Sequence, residues 1–455
     1  MGGLFRKDFV WGCATAAYQV EGAAECDGRG PSVWDRFCRK GHAVWQDNTG
    51  DAACDHYHRY REDVALMKEL GLRGYRFSIS WPRVLPEGTG KVNAKGLSFY
   101  DRLVDELLAA RIEPFATLFH WDYPYALYCR GGWLNRDSAE WFGEYAALMA
   151  RKLGDRVKFW MTHNEPQCTI GLGHQQGIHA PGDKLGVREW LRAGHHLLLS
   201  HGRAVQALRA RAKVRPKVGY APVGCLRLPA SNSPRDVKAA RRATFAVTAK
   251  DAWNSSWWMD PVFFGRYPED GLKLFGADAP EVRPGDLKLI SQPLDFFGVN
   301  LYSASRVRAG KDGRPEAAPA RIGPPLTAFH WEVTPEILYY GPKFYHERYG
   351  LPIYVTENGM AGCDWVSLDG KVRDPQRIDY LHRYFREFAR AAADGVDARG
   401  CFVWSLMDNF EWAEGYKQRF GLIHVNYETQ ARTPKDSFYW YKEVIAANGE
   451  NLLPP

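Results

Sequence analysis

Short apolar runs alternate with longer amphipathic stretches from one end of the 455-residue chain to the other. Apolar runs of this length, bounded by turn residues, predict strands buried on both faces, and the stretches between them predict helices. The runs fall at 10–14, 74–78, 114–118, 158–162, 218–221, 296–300, 353–356 and 401–405. Eight strands alternating with helices predict an α/β fold whose parallel sheet closes into a (β/α)8 TIM barrel. No repeat or linker divides the chain, so a single domain over 1–455 is expected. The segment 309–325, rich in Gly, Pro, Ala and charge, is expected to be a long surface loop between the sixth and seventh strands.

Helix ends are marked as well. Asp137 followed by Glu140 predicts a capping box, with Trp141, Tyr145 and Met149 on one face beyond it. Asp374 before Pro375 predicts an N-cap, with Ile378, Leu381, Phe385 and Phe388 forming the apolar face. Val64, Met67 and Leu70 lead to Gly71, which predicts a glycine C-cap.

Two of the apolar runs end in glutamate and then break. One reads Phe159-Trp160-Met161-Thr162-His163-Asn164-Glu165-Pro166, the other Leu351-Pro352-Ile353-Tyr354-Val355-Thr356-Glu357-Asn358-Gly359. In a parallel barrel, chemistry gathers at the C-terminal ends of the strands. Glu165 ends the fourth strand and Glu357 the seventh; Gln19, Arg76, His120, Tyr302 and Trp404 also fall near or just past strand ends. A facing pair of carboxylates suits cleavage of a glycosidic bond, where one donates a proton and the other attacks or activates water.

Composition narrows the alternatives. The balance of 60 Lys+Arg against 53 Asp+Glu is mild, with no long block of like charge, which argues against nucleic acid as a partner. No apolar run reaches the length of a membrane span, and no charged leader with an apolar core opens the sequence. Nine cysteines, an odd number without a Cys-x-x-Cys pair, argue against both a disulfide framework and a zinc site and favour a reducing, cytoplasmic setting. No metal, no cofactor and no Ser-His-Asp order competes with the carboxylates. Seventeen tryptophans is a high count; most are expected in the core, but an indole also suits the C–H face of a sugar ring.

The motifs Thr-His-Asn-Glu-Pro and Thr-Glu-Asn-Gly resemble the acid/base and nucleophile motifs of glycoside hydrolase family 1, the β-glucosidases and their relatives. The resemblance runs from Asp8-Phe9-Val10-Trp11-Gly12 through Tyr75–Arg83 and His120-Trp121-Asp122 to Trp404–Trp412 and Arg419-Phe420-Gly421. It implies a retaining, exo-acting β-glycosidase of the β-glucosidase type, with a role in carbohydrate metabolism and cellulose breakdown. Glu357 would be the nucleophile and Glu165 the acid/base, with Arg76 and Tyr302 supporting the nucleophile. Gln19, His120, Asn164, Tyr302, Glu411 and Trp412 would bind the sugar, and Trp404 would stack on it. Trp331 would line the aglycone side and Phe420 the wall of the sugar pocket, while Asp408-Asn409 would shape a loop.

The substrates implied are small β-glycosides and oligosaccharides; assembly into a homo-oligomer stays open. The alternatives are β-galactosidase or β-fucosidase specificity, a phospho-β-glycosidase, dominant transglycosylation, or a carbohydrate-binding protein without catalysis. Tyr123, Tyr125, Tyr128, Cys129, His174 and His330 depart from the common bacterial pattern and leave the aglycone preference open.

Overall fold

A computed structural model describes residues 4–453. Eight parallel strands close the barrel: β1 (Val10–Ala14), β2 (Gly74–Ser78), β3 (Glu113–Phe119), β4 (Phe159–Asn164), β5 (Lys217–Ala221), β6 (Phe296–Asn300), β7 (Ile353–Asn358) and β8 (Ala398–Trp404). Each strand pairs with the next in sequence, and β8 closes on β1 with Ala14 opposite Trp404. Helices cover the outside, so both faces of every strand are buried. All eight predicted strands are present. β4 runs two residues past its predicted end, and the Glu165 N–H still bonds the Ala221 carbonyl at 2.8 Å.

The lower lumen is packed with aromatic rings. Phe115 stacks on Phe159 at 4.2 Å and meets Phe402 at 4.8 Å, and Phe296 meets Tyr354 at 5.1 Å. Glycine opposite these rings is a matter of space: a Cβ on Gly12 would lie 2.4 Å from the Phe402 ring. Above this plug the lumen turns polar.

The two glutamate-bearing strands share an irregularity. β7 loses its register with β6 between Val355 and Glu357, and β4 loses its register with β5 between Met161 and Asn164. A break in pairing of this kind re-aims the side chains that follow it.

Three local expectations need correction. Asp137 does not cap the helix Ser138–Leu153: it is already in helical conformation, and its side chain makes no cap bond. Asn135 does that work, accepting from the Asp137 N–H at 2.9 Å, while Glu140 turns outward to Arg203 at 2.7 Å. Asp374 precedes the helix Pro375–Ala393 but bonds Arg377 and Ser437 instead of the helix N–H groups. Finally, 309–325 is not all loop. Ser305–Ala309 and Pro315–Ala317 form an antiparallel hairpin about the Asp312-Gly313 turn, and Arg227–Pro229 adds a third strand. Asp-Gly is a hairpin signal, outweighed in the sequence reading by the surrounding Pro and Gly. The glycine cap at Gly71 is present, with φ of 82°.

Candidate active site

A cavity of about 720 Å³ opens at the C-terminal ends of the strands, and both glutamates line it. Glu165 is 7% exposed and Glu357 4% exposed, so neither is an ordinary surface acid. Glu165 follows β4 with φ of 44°, and two other wall residues, Trp121 and Trp412, have φ of 81° and 51°. Left-handed backbone at non-glycine residues costs on the order of 1–3 kcal/mol each, and such positions cluster where geometry serves function.

The surroundings treat the two carboxylates differently. Glu357 receives Arg76 Nη1 on one oxygen at 2.5 Å and the Tyr302 hydroxyl on the other at 2.7 Å. Burial raises its pKa, and Arg76 and Tyr302 pull against that rise. Glu165 has no cation of its own; it accepts from Asn300 Nδ2 at 2.8 Å. Burial first, and the neighbouring Glu357 second, push its pKa up to about 7.

Arg76 is the hub of the polar layer. It is 1% exposed and reaches Thr117 on β3, the Thr356 carbonyl on β7 and Asn164 on β4 besides Glu357. Asn164 Oδ1 accepts from Arg76 at 2.6 Å and from Asn300 at 3.0 Å, which fixes its amide orientation. Its Nδ2 therefore donates to His120 Nε2 at 3.0 Å. His120 must then carry its proton on Nδ1, and burial together with Arg76 holds it neutral by lowering its pKa well below the usual range. That Nδ1 is buried and has no partner among the described residues.

His120, Tyr302, Trp404, Glu411, Trp412 and Trp331 all line the cavity. The His120 ring lies nearly parallel to Trp404 and to Trp412, at 5.7 and 5.9 Å. Gln19 and Asn164 are both fully buried and outside the cavity lining. Gln19 Nε2 donates to Asn409 and to the Phe410 carbonyl at 2.9 and 2.8 Å, and its Oε1 has no partner among the described residues. Glu411 is half-buried, 3.4 Å from Gln19 Nε2. Burial and the two other carboxylates push its pKa up to about 8. Asp408 does shape the loop: it accepts from the Gly421 N–H, Arg419 and Lys435 at 2.9, 2.7 and 2.7 Å.

Trp331 is stacked on Phe329 at 4.7 Å and lies 6.3 Å from Phe420, making an aromatic side wall. The departures from the bacterial pattern, Tyr123, Tyr125, Tyr128, Cys129, His174 and His330, do not line this cavity. Tyr128 and His174 converge instead on Asp183, at 2.8 and 2.9 Å, and lock a loop behind the wall.

Sequence reasoning passed over Asn300, Phe329 and Cys168, a cavity-lining thiol that hydrogen-bonds Glu165. Asn300 carried the same signal as Glu165, a polar residue ending an apolar strand; the other two carried none.

Gly359 follows the nucleophile candidate for a steric reason. A Cβ there would lie 1.8 Å from the Trp404 carbonyl oxygen, which is backbone and has no freedom to move aside. Gly359→Ala is expected to push β7 from β8, destabilising the protein by about 1–3 kcal/mol. It also displaces Glu357, so kcat should fall more than Tm suggests; thermal melts beside aryl-glucoside kinetics check this.

The whole chain matches known proteins. The model of the family described as glycosyl hydrolase family 1 covers residues 1–450. Beta-glucosidase A of Acetivibrio thermocellus is 47% identical over 451 residues, covering 98% of this chain and 99% of the relative. Beta-glucosidase A of Thermotoga maritima is 44% identical over 446 residues, covering 98% of each. A solved structure of the family 1 β-glucosidase from Thermotoga maritima, in complex with isofagomine lactam, superposes with a TM-score of 0.89 at 44% identity, over 98% of this chain and 99% of that one. With a closed barrel, a carboxylate pair at its mouth and full-length similarity, the chain belongs to glycosyl hydrolase family 1 and is a glycoside hydrolase of the β-glucosidase type.

Proposed function

We propose that this protein releases terminal β-D-glucosyl residues by double displacement, with Glu357 as nucleophile and Glu165 as acid/base. The observation that carries this reading is the unequal treatment of two carboxyls in one cavity. Arg76 and Tyr302 occupy both oxygens of Glu357 and favour its ionised, attacking form. Glu165, with a pKa near 7 and no cation bonded to it, stays protonated in the free enzyme at mildly acidic pH. Once Glu357 becomes a glycosyl ester its charge is gone. The pKa of Glu165 then falls, and it takes the proton from the incoming water.

The sugar itself meets unpaired polar atoms. His120 Nδ1–H, on the cavity wall, and Gln19 Oε1, buried just behind it, are a donor and an acceptor without partners among the described residues, matched to hydroxyls. Trp404 offers an apolar face, and Asn164 holds His120 and Arg76 in register from behind. Glu411, titrating near neutrality, both accepts from and donates to hydroxyls at the far end of the ring. The substrates are small-molecule glycosides, and a cytoplasmic location is supported by the nine free cysteines.

Glu411 separates a glucosidase from a phospho-β-glycosidase. Glu411→Ser should lower kcat/KM for p-nitrophenyl β-glucoside by about 5- to 150-fold, since sugar hydroxyls left without their buried partner cost roughly 1–3 kcal/mol. Above about pH 8, where Glu411 is ionised, removing its charge should also narrow discrimination against the 6-phosphorylated glucoside. Both substrates are to be measured in both proteins. A parent enzyme that already prefers the phosphate would overturn the substrate class while leaving the double displacement standing.

A further inference from the structure

The catalytic cavity does not end at its aromatic wall. A second cavity of about 720 Å³ adjoins it, and Cys225, Arg227, Trp253 and Ser305 line both. The shared wall is built on regular structure. Arg227 opens the short strand Arg227–Pro229 and lies opposite Ser305, whose hydroxyl accepts from Arg227 Nη1 at 2.7 Å. Trp253 is half-buried, and its N–H bonds Asp251 at 2.8 Å, which fixes the turn that presents the indole. A cation and an aromatic ring thus stand together where a long aglycone leaves the inner cavity.

The charges there do not balance. Of the arginines lining the outer cavity, Arg306, Arg314 and Arg321 pair with Glu336, Asp312 and Glu332 at 2.9, 3.2 and 3.0 Å. Arg227 and Arg242 have no carboxylate partner among the described residues. Glu316 is engaged by Arg308 at 3.5 Å, so Asp251 is the one lining acid without a cation. Two exposed guanidiniums against one half-buried carboxylate leave the exit from the active site positive.

We infer that this exit is a subsite for an anionic aglycone, a sugar-like polyol bearing a carboxylate, held by Arg227 with Trp253 as its platform. The inference rests on the glucosidase reading above. A carboxylate accepts two parallel N–H bonds from a guanidinium, whereas a neutral sugar hydroxyl takes one. The apolar face of the same aglycone covers the indole. Arg242, farther out, extends the attraction to longer substrates.

The test uses cellobionate, cellobiose with its reducing end oxidised to the acid, and cellotrionate, which carries the acid one sugar farther out. Each is compared with its neutral parent in the wild type, Arg227→Gln and Arg227→Glu. The readout is the ratio of kcat/KM for the acid to that for the neutral sugar. Because Arg227 is exposed, the ratio should fall about two- to fivefold in Arg227→Gln and further in Arg227→Glu. In the wild type it should also fall when ionic strength rises from about 0.02 M to about 0.5 M, as screening shortens the reach of the charge. One ratio common to all three proteins and independent of salt would overturn the subsite. Turnover of p-nitrophenyl β-glucoside in the same preparations reports on the glucosidase reading separately, because that aglycone carries no carboxylate.

Discussion

Glu357→Ala should lose nearly all turnover of aryl β-glucosides, on the order of 10⁴-fold or more in kcat, because no ester can form. The fold should survive the change. Arg76 loses its carboxylate but keeps Thr117, the Thr356 carbonyl and Asn164 as acceptors. A buried cation without its counter-charge still costs stability, by about 3–5 kcal/mol, so the melting temperature should drop measurably. Formate or azide should then restore cleavage, since a small anion fills the void beside Arg76 and attacks in place of the missing carboxylate. The product with azide should be the α-glycosyl azide, inverted relative to the substrate. Near-normal hydrolysis without added anion would remove Glu357 from the mechanism.

Glu165→Ala should discriminate among leaving groups. Cellobiose leaves as a poor alkoxide and needs the proton, so its loss should be about 10²–10⁴-fold. A dinitrophenyl glucoside leaves without help and should form the glycosyl-enzyme almost as fast as before. Azide should speed the second step and give the β-glycosyl azide. The pH profile carries a second signature. Glu165 must be protonated to act, and its pKa is about 7, so kcat/KM in the wild type should fall as pH rises through 7. The acid limb has the opposite sign, because Glu357 must be ionised. In the mutant the alkaline limb should vanish; its persistence at the same pH would assign the acid elsewhere.

The barrel was legible because every strand is a short apolar run and each is separated from the next by a helix. Strand ends were legible to within two or three residues because a polar residue or a turn follows each. Helix caps were less so. Asp137 and Asp374 have the right residue type in the right place, yet Asn135, two residues earlier, and Ser437, 63 positions away in sequence, decide where the hydrogen bonds go. The hairpin at 315–317 was hidden because Pro and Ala are poor strand formers and only its Asp-Gly turn spoke for it.

At the site, the carboxylates and the cavity lining followed from motifs. Which of two similar acids stays ionised was legible only through the resemblance, because it depends on Arg76 from β2 and on Asn300 and Tyr302 from the end of β6 and just beyond it. Asn300 shows the limit clearly: a strand-ending asparagine looks like any turn residue until Glu165 is found 2.8 Å away.

The single buried arginine of the polar layer sets the electrical capacity of the pocket. Four carboxyls, Glu165, Glu357, Glu411 and Glu414, line one cavity, and the Arg76 guanidinium lies behind Glu357. With the pocket empty, the protein limits the excess negative charge by keeping protons on Glu165 and Glu411, whose pKa values rise to about 7 and about 8. Such a pocket is a proton reservoir. A neutral sugar in its ground state gains little from the ionised Glu357. The attraction grows only as the glycosidic bond stretches and positive charge develops at the anomeric carbon, so it is held back for the transition state.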